Sequence, residues 1–298
     1  MLGIFVDILV PVFLVVGAGF LLARTVGVKP HGLATLAYWV LGPVFIFDIL
    51  SGADLEAGEV ARIVAATVIS VAVVGVLAGV AGRLVGSSRS VTSATVLSSI
   101  HGNVGNFGLA IVAFALGEGA LPIAGIVMVT INTLGILTGV GLASSREHNL
   151  ARAAWRALTT PLALAVVPAL AVNVSNFDLP LWFDRPVSLI AAAMIPVMLL
   201  TLGVQLAGME KVLPPAKAAL PIGLKLVVNP LAASAAVAIL GLSGAPADVV
   251  VLQAAMPAAV FTSLIALEHD LEPDYVTAVL LSGTLVSAFT IPVVIALI

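Results

Sequence analysis

The stretch Ser98-Ser-Ile-His-Gly-Asn-Val-Gly-Asn-Phe-Gly108 interrupts an apolar run that extends from about residue 90 to residue 116. It contains three glycines, two asparagines and a histidine, whereas the rest of the run is typical of a membrane helix. A helix that crosses a bilayer must pair all of its backbone polar groups, so a break persists only where protein or a wet cavity satisfies them. The stretch therefore predicts a broken membrane helix beside a binding cavity.

A second interruption of the same kind is Gln253-Ala-Ala-Met-Pro-Ala-Ala-Val-Phe-Thr-Ser263. Here Pro257 removes one backbone donor and frees an earlier carbonyl. Two broken helices in matching positions of two halves are the sequence pattern that indicates the binding site of a secondary transporter. We therefore interpret the chain as a secondary transporter whose site lies where the two breaks meet.

The composition indicates a membrane protein over nearly the whole length. Hydrophobic residues make up 61% of the 298 positions and charged residues 9%, whereas a soluble domain carries about 25% charged residues. The net charge of −3 does not indicate nucleic acid as a partner. Because the chain contains no cysteine, a disulfide framework, a thiol nucleophile and a cysteine metal site are excluded. The first apolar run leads directly into further segments, so we expect a retained helix and not a cleaved signal.

Segments of about 20 apolar residues, separated by charges and turn residues, predict an all-α polytopic membrane protein with ten spans. The predicted spans are 4–23, 32–51, 60–82, 90–116, 121–143, 157–174, 186–207, 217–241, 248–267 and 275–297.

Positive charges predict the orientation of these spans. Arg62 and Arg185 lie beside gaps that follow even-numbered spans. Nine others lie beside gaps that follow odd-numbered spans: Arg24, Lys29, Arg83, Arg89, Arg146, Arg152, Arg156, Lys211 and Lys217. Lys and Arg are enriched in cytoplasmic loops, so both termini should lie outside and the loop 144–156 inside.

The two halves of the chain repeat. Pro43 and Pro196 are 153 positions apart, and the same shift carries Val104 in the first break onto Pro257 in the second. Five spans per half invert the second copy, which predicts inverted repeats over 1–148 and 149–298.

The first break supplies three candidate substrate-binding residues, Asn103, Gly105 and Asn106. Glycine lets the backbone leave helical geometry, and the asparagines supply donors and acceptors. A half-helix that begins near Asn106 would direct its free N–H groups at an anion such as a carboxylate. Alternatively, the small residues only let helices pack closely.

The second break supplies Gln253, Pro257 and Thr262 as further substrate-binding candidates. The alternative is that Pro257 kinks a membrane helix for shape alone. Metal ligands are not predicted in either break.

Three residues are candidates for a proton or anion relay. His101 directly precedes the first break and could shuttle a proton or act as a neutral hydrogen-bonding residue. Lys225 could hold a carboxylate, neutralise a helix C-terminus or extend to the inner surface. Asp48 lies near the outer end of the second span, where water could reach it. Gln205, Asn132 and Asn229 are weaker candidates because such residues often hold membrane helices together.

Enzyme motifs do not fit the chain. Gly241-Leu-Ser-Gly244 resembles the serine motif of rhomboid proteases but falls at a helix end, with no later membrane-embedded histidine. Motifs for zinc and nucleotide binding are absent from the sequence. The sequence therefore predicts that the protein is not an enzyme.

Several motifs resemble the auxin efflux carrier family of the bile-acid/arsenite/auxin transporter superfamily, and in particular its prokaryotic PIN-like transporters. The motifs that carry the resemblance are Gly102-Asn-Val-Gly-Asn-Phe-Gly-Leu-Ala110, Leu116-Gly-Glu118, Pro43-Val-Phe-Ile-Phe47, Leu202-Gly-Val-Gln-Leu206, Ala254-Ala-Met-Pro-Ala-Ala-Val260 and Ser287-Ala-Phe-Thr-Ile-Pro292. Ala110 stands where the family usually has proline, and Phe261 stands where bacterial members often carry asparagine.

The resemblance implies the fold of the bile-acid sodium symporters. Spans 1, 2, 6 and 7 would form a scaffold, and spans 3–5 and 8–10 a transport domain in which broken spans 4 and 9 cross. It also implies elevator-like movement, a homodimer formed through the scaffold, and organic anions such as indole acids, malate or malonate as substrates.

We therefore expect a plasma-membrane carrier that exports a small organic carboxylate, with no cofactor other than a coupling proton or sodium ion. One alternative is a sodium-coupled symporter of the bile-acid type. Another is a membrane sensor that binds an anion without moving it.

Overall fold

The computed structural model describes residues 2–142, 150–175, 177–209 and 215–298, and these residues form helices without any strand. The helices are α1 Leu2–Val26, α2 Pro30–Ser51, α3 Ala57–Leu84, α4 Arg89–Ile100, α5 Val104–Leu116, α6 Leu121–Leu142, α7 Leu150–Leu158, α8 Pro161–Ser175, α9 Leu181–Ala207, α10 Ala218–Ile239, α11 Ala245–Ala254, α12 Val260–Glu268 and α13 Pro273–Leu297.

Seven of these helices are long and apolar enough to cross a membrane, or eight if the bent pair α7–α8 forms one span. The prediction of an all-α polytopic membrane protein is thus confirmed, whereas the ten-span inverted repeat stays a prediction. Of the charges that predict the orientation, Arg146, Lys211 and the side chain of Lys217 lie outside the described residues.

The predicted span 157–174 corresponds mainly to α8, and a bend of 57° between α7 and α8 lies at its N-terminal end. Pro161 begins α8 and lacks the N–H that would continue the preceding turn, so the bend falls just before it.

The helices pack mainly in two sets. In the first set, α1 lies along α9, and α2 lies against α8 and α9. In the second set, α3 packs on α4, α6 and α10, while α13 packs on α10 and α12. The N-terminal turn of α5 also contacts α9, so the break after α4 lies where the two sets meet.

Helices α1 and α9 approach each other through glycine on both sides. A Cβ atom added to Gly19 would overlap the backbone carbonyl of Leu200, and one added to Gly203 would overlap that of Val16. Small residues allow membrane helices to approach so closely that dispersion contacts between backbones hold them together.

Asn173 of α8 secures the C-terminal end of α2. Its Nδ2 donates to the carbonyl oxygens of Leu50, Ser51 and Ala53 at 3.1, 3.3 and 2.6 Å. The last carbonyls of a helix have no partner within the helix, so this side chain satisfies groups that would otherwise need water.

We expect Asn173→Asp to lower the thermal midpoint of the detergent-solubilised protein by about 5 °C, because an acceptor replaces the donor in front of three carbonyls. Thermal scanning of purified protein measures the shift. Ser175→Ala is the matched control, since that exposed hydroxyl donates to Val172 in its own helix. Equal midpoints for Asn173→Asp and wild type would contradict the capping role.

Candidate functional site

The first break follows the end of α4 at Ile100. His101 has extended backbone angles (φ −100°, ψ 106°), and Asn103 follows at φ −75° and ψ 57°. Helical geometry resumes at Val104 with a π-helical turn, Val104–Gly108, which leads into the rest of α5. The half-helix therefore begins two residues earlier than the sequence predicts.

The second break lies between Ala254 and Val260, where α11 ends and α12 begins. Its backbone pairs with that of the first break in an antiparallel bridge between Gly102 and Ala258. The Asn103 N–H donates to the Pro257 carbonyl at 2.7 Å, and the Ala259 N–H donates to the His101 carbonyl at 3.0 Å. Each break thus satisfies backbone groups of the other, which meets the requirement for irregular chain at membrane depth.

A cavity of about 470 Å³ opens beside the paired breaks. Its polar residues include Asn103, Asn106, Asn132, Thr201 and Gln205. The remaining lining is mainly apolar, with Met128, Met194, Met198, Leu162, Phe261, Tyr38 and Trp39. Among the residues that the structure describes, its lining contains no Asp, Glu, Lys, Arg or His. The cavity has the size and composition of a site for a small organic molecule.

Two helix N-termini border this cavity. Val104, Gly105 and Asn106 form the first turn of α5, and Val260 and Phe261 form that of α12. Backbone N–H groups in a first turn have no acceptor within the helix, and the helix dipole adds partial positive charge there. This arrangement can bind an anion without a charged side chain.

The Asn103 side chain adds an unused donor at the same place. Asn103 is 4% exposed, and its Nδ2 has no hydrogen-bond partner within the described part of the chain. A buried polar group without a partner is rare in folded proteins and often marks a missing ion, water or ligand.

The substrate-binding candidates divide into two groups. Asn103, Gly105 and Asn106 line the large cavity. Gln253, Pro257 and Thr262 do not, although the Pro257 carbonyl forms the bond to Asn103. The Thr262 hydroxyl is buried and donates to the Ala259 carbonyl in the turn before it.

Lys225 occupies a separate buried chamber behind the breaks. It is 2% exposed, and its Nζ donates to the Ala254 carbonyl at 2.9 Å. The chamber measures about 10 Å³, and its polar lining also includes Thr67, Ser70, Asn229 and Gln253. Of the roles that the sequence left open for Lys225, the geometry matches the one at a helix C-terminus, that of α11.

The other relay candidates lie in different surroundings. His101 is buried, with Nδ1 3.1 Å from the Leu97 carbonyl and Nε2 3.0 Å from the Thr138 hydroxyl. Asp48 lies away from the breaks, where its carboxylate accepts a hydrogen bond from Ser188 at 2.8 Å. Neither residue lines the large cavity.

From the sequence, Gln205 was only a weak candidate for the site, and the methionines that line the cavity were not predicted. Asn106 Nδ2 donates to Gln205 Oε1 at 3.3 Å, so α5 and α9 are linked at the cavity wall. The positions of membrane spans in the sequence do not predict this link, because the link depends on which helix packs against the break.

Comparisons with known proteins agree on one family. The family described as "Membrane transport protein" matches residues 4–295. An uncharacterized transporter of Methanothermobacter thermautotrophicus is 31% identical over 103 residues, 35% of this chain and 34% of that protein. Auxin efflux carrier component 6 of Arabidopsis thaliana is 28% identical over 175 residues, 58% of this chain and 28% of that protein.

The alignments span about a third of the length of these relatives, while the family match spans nearly this whole chain. The predicted membership of the auxin efflux carrier family is therefore confirmed. The chain belongs to the membrane transport protein family, that of the auxin efflux carriers, whose members are transporters and not enzymes.

Proposed function

We propose that the protein carries a small organic carboxylate across the plasma membrane, with the anion bound where the two breaks meet. The observation that carries this proposal is the presence of two helix N-termini and the unpaired Asn103 donor in one cavity. Free N–H groups at helix N-termini and a side-chain amide favour an anion over a cation or a neutral solute.

The cavity favours one carboxylate attached to an apolar body. Asn103, Asn106 and the two N-termini supply donors beside the breaks, whereas Met128, Met194 and Met198 are part of a mainly apolar wall. A second carboxylate on the substrate would lie against that wall and lose its hydration without a partner. Among the expected substrates, an indole acid or another monocarboxylate therefore fits better than malate or malonate.

The proposed movement is alternating access of the elevator type. The scaffold would comprise α1, α2, α8 and α9, and the transport domain α3–α6 and α10–α13, formed from the repeats 1–148 and 149–298. The two sets of helix contacts support this division, and the substrate cavity lies between them. We further propose a homodimer formed through the scaffold, with both termini outside the cell.

The proposed direction is export. A negative interior pushes an anion outward by about 2.3 kcal/mol per charge per 100 mV. Uniport or proton-linked export would therefore suffice, without a cofactor and without sodium coupling. The cavity lining supports this choice because, as far as the structure describes it, it includes no carboxylate side chain to help hold a sodium ion.

Flux into proteoliposomes tests the function. We expect saturable uptake of a labelled indole acid, with slower or no uptake of malate and malonate, under imposed voltage, pH and sodium gradients. Asn103→Ala should raise the half-saturating concentration about tenfold or more, because it removes a donor to a charged acceptor. Thr35→Val is the matched control, since Thr35 lines the same cavity from α2 and its hydroxyl donates to the His31 carbonyl in its own helix at 2.8 Å.

The outcomes separate the alternatives. Uptake that requires a sodium gradient and ignores pH would favour a sodium symporter. Thermal stabilisation by an acid without flux in sealed vesicles would favour an anion sensor. Absence of both binding and flux for every acid tested would refute the substrate class.

A further inference from the structure

The bend between α7 and α8 is held by two threonine hydroxyls. The Thr159 hydroxyl donates to the Trp155 carbonyl at 2.8 Å, and the Thr160 hydroxyl donates to the Ala157 carbonyl at 3.1 Å. The Thr160 hydroxyl oxygen also accepts a hydrogen bond from the Ala163 N–H at 3.3 Å, in the first turn of α8. These bonds satisfy backbone groups that the ends of two helices leave without partners. The 57° bend is therefore a defined feature of the chain.

Helix α7 is buried along one side. Ala153 and Ala157 lie one turn apart and are 2% and 0% exposed. The main packing partner of α7 is α6, which belongs to the second set of helices. At its other end α7 continues through the bend into α8, which belongs to the first set. Helix α7 thus connects the two sets.

The exposed side of α7 carries two neighbouring rows of side chains. Arg152 and Arg156 are both exposed and form a basic row. Trp155 and Leu158 are 70% and 62% exposed and form an apolar row. Residues three or four positions apart lie on the same face of a helix, so each pair is one row and the two rows lie side by side. The helix is therefore amphipathic on its exposed surface as well as buried on α6.

Such a surface fits the boundary between the headgroups and the acyl chains of a bilayer. An interfacial helix places Trp and Leu among the acyl chains and directs its basic residues at the headgroups. Helix α8 has 15 residues and is about 22 Å long, whereas a hydrocarbon core is about 30 Å thick. The inclined α7 then completes the crossing, and its N-terminal end reaches the headgroups.

We infer that α7 is an interfacial helix whose two arginines bind the phosphate group of an anionic phospholipid, while Trp155 and Leu158 lie among the acyl chains. Charge complementarity favours this occupant, because a lipid without net charge offers the basic row no net attraction. The predicted orientation agrees with it, since residues 144–156 are predicted to lie inside and anionic lipids are those of the cytoplasmic leaflet. The bound lipid holds the connection between the two sets of helices at the membrane surface.

Native mass spectrometry of the full chain in a nonionic detergent tests this inference, with phosphatidylglycerol and phosphatidylcholine as the two probes. We expect the first phosphatidylglycerol to bind wild type about tenfold more tightly than the first phosphatidylcholine. The double variant Arg152→Gln/Arg156→Gln should bind phosphatidylglycerol about tenfold to thirtyfold more weakly, because each arginine near an anionic lipid contributes about a factor of five. Its affinity for phosphatidylcholine should stay nearly the same.

Arg62→Gln/Arg185→Gln is the matched control. It removes the same two charges from exposed positions on α3 and α9, so its affinity for both lipids should equal that of wild type. Trp155→Ala keeps both arginines and should weaken the binding of both lipids by a similar factor, because it removes apolar contact without changing the charge. This second variant keeps the inference testable if the double glutamine variant folds poorly.

Equal affinities of wild type for the two lipids would overturn the inference, as would unchanged binding of phosphatidylglycerol by the double glutamine variant. Displacement of the lipid by inorganic phosphate at the same concentration would assign the arginines to a soluble anion instead. A changed oligomer mass in the double glutamine variant, with unchanged lipid binding, would make the exposed side of α7 a contact between copies of this chain. Either of these two results would also overturn the inference.

Discussion

Replacing Gly19 by leucine is expected to prevent accumulation of the folded protein or to lower its thermal midpoint by about 10 °C or more. The new side chain would overlap the Leu200 carbonyl of α9. Overpacking of ordinary cores costs about 1–3 kcal/mol, and here the obstacle is backbone, which no rotamer change can move. A cost of about 3 kcal/mol or more corresponds to that shift for a chain of this size. Gly203→Leu should behave in the same way, because the contact is reciprocal.

Gly17→Leu provides the matched control for this prediction. Gly17 lies on the same helix two residues earlier, and an added Cβ atom would meet no heavy atom within 4 Å. Size-exclusion profiles and thermal scans of the three variants in one detergent measure the difference. If Gly19→Leu and Gly17→Leu gave the same profile and midpoint, α1 and α9 would not be in backbone contact.

These glycines show why helix packing was harder to predict than helix existence. The pairs Gly75/Gly79 and Gly135/Gly139 have the spacing typical of packing faces, yet Cβ atoms at Gly75 and Gly79 would meet only side-chain atoms at 3.5 and 3.9 Å. The backbone contacts fall instead on Gly19 and Gly203, which lack that spacing. How closely two helices approach depends on their crossing angle and partner, and neither is encoded in one segment.

The two breaks were predictable because their causes are local. Glycine and asparagine in the first and proline in the second disfavour a continuous helix whatever surrounds them. Their mutual pairing was not predictable, because the bridge between Gly102 and Ala258 joins residues 156 positions apart. The same reason applies to the chamber around Lys225 and to the bond between Asn106 and Gln205.

The family and the transporter class, suggested by the break motifs, are confirmed by the family match over residues 4–295. The individual site residues stay predictions. Asn103, Gly105 and Asn106 border the cavity, and Gln253 lies behind it, where a Cβ atom on Gly108 would overlap its side-chain oxygen. A sequence pattern identifies the segment that forms a site, but the side of the backbone on which each residue lies depends on how the broken chain turns.

Replacing Lys225 by methionine is expected to abolish transport and to destabilise the second set of helices. The methionine has a similar length but no donor, so the Ala254 carbonyl would be left without its Lys225 partner at the end of α11. An unpaired buried acceptor costs about 1–3 kcal/mol. The change also removes the positive charge that offsets the negative end of the α11 dipole, beside the proposed anion site.

Two further variants separate the effect of side-chain shape at position 225 from the effect of its charge. An added Cβ atom on Gly102 would lie 3.0 Å from the Lys225 Nζ, so the ammonium fits closely against the first break. Lys225→Arg keeps the charge but is bulkier, and we expect it to retain partial flux. Arg62→Gln, which removes an equal charge from an exposed position on α3, should transport like wild type. Proteoliposome flux and thermal scans of the three variants measure these effects. Wild-type flux in Lys225→Met would show that the chamber is only a packing feature. Loss of flux in Lys225→Met together with recovery of flux in Lys225→Arg would assign the effect to charge.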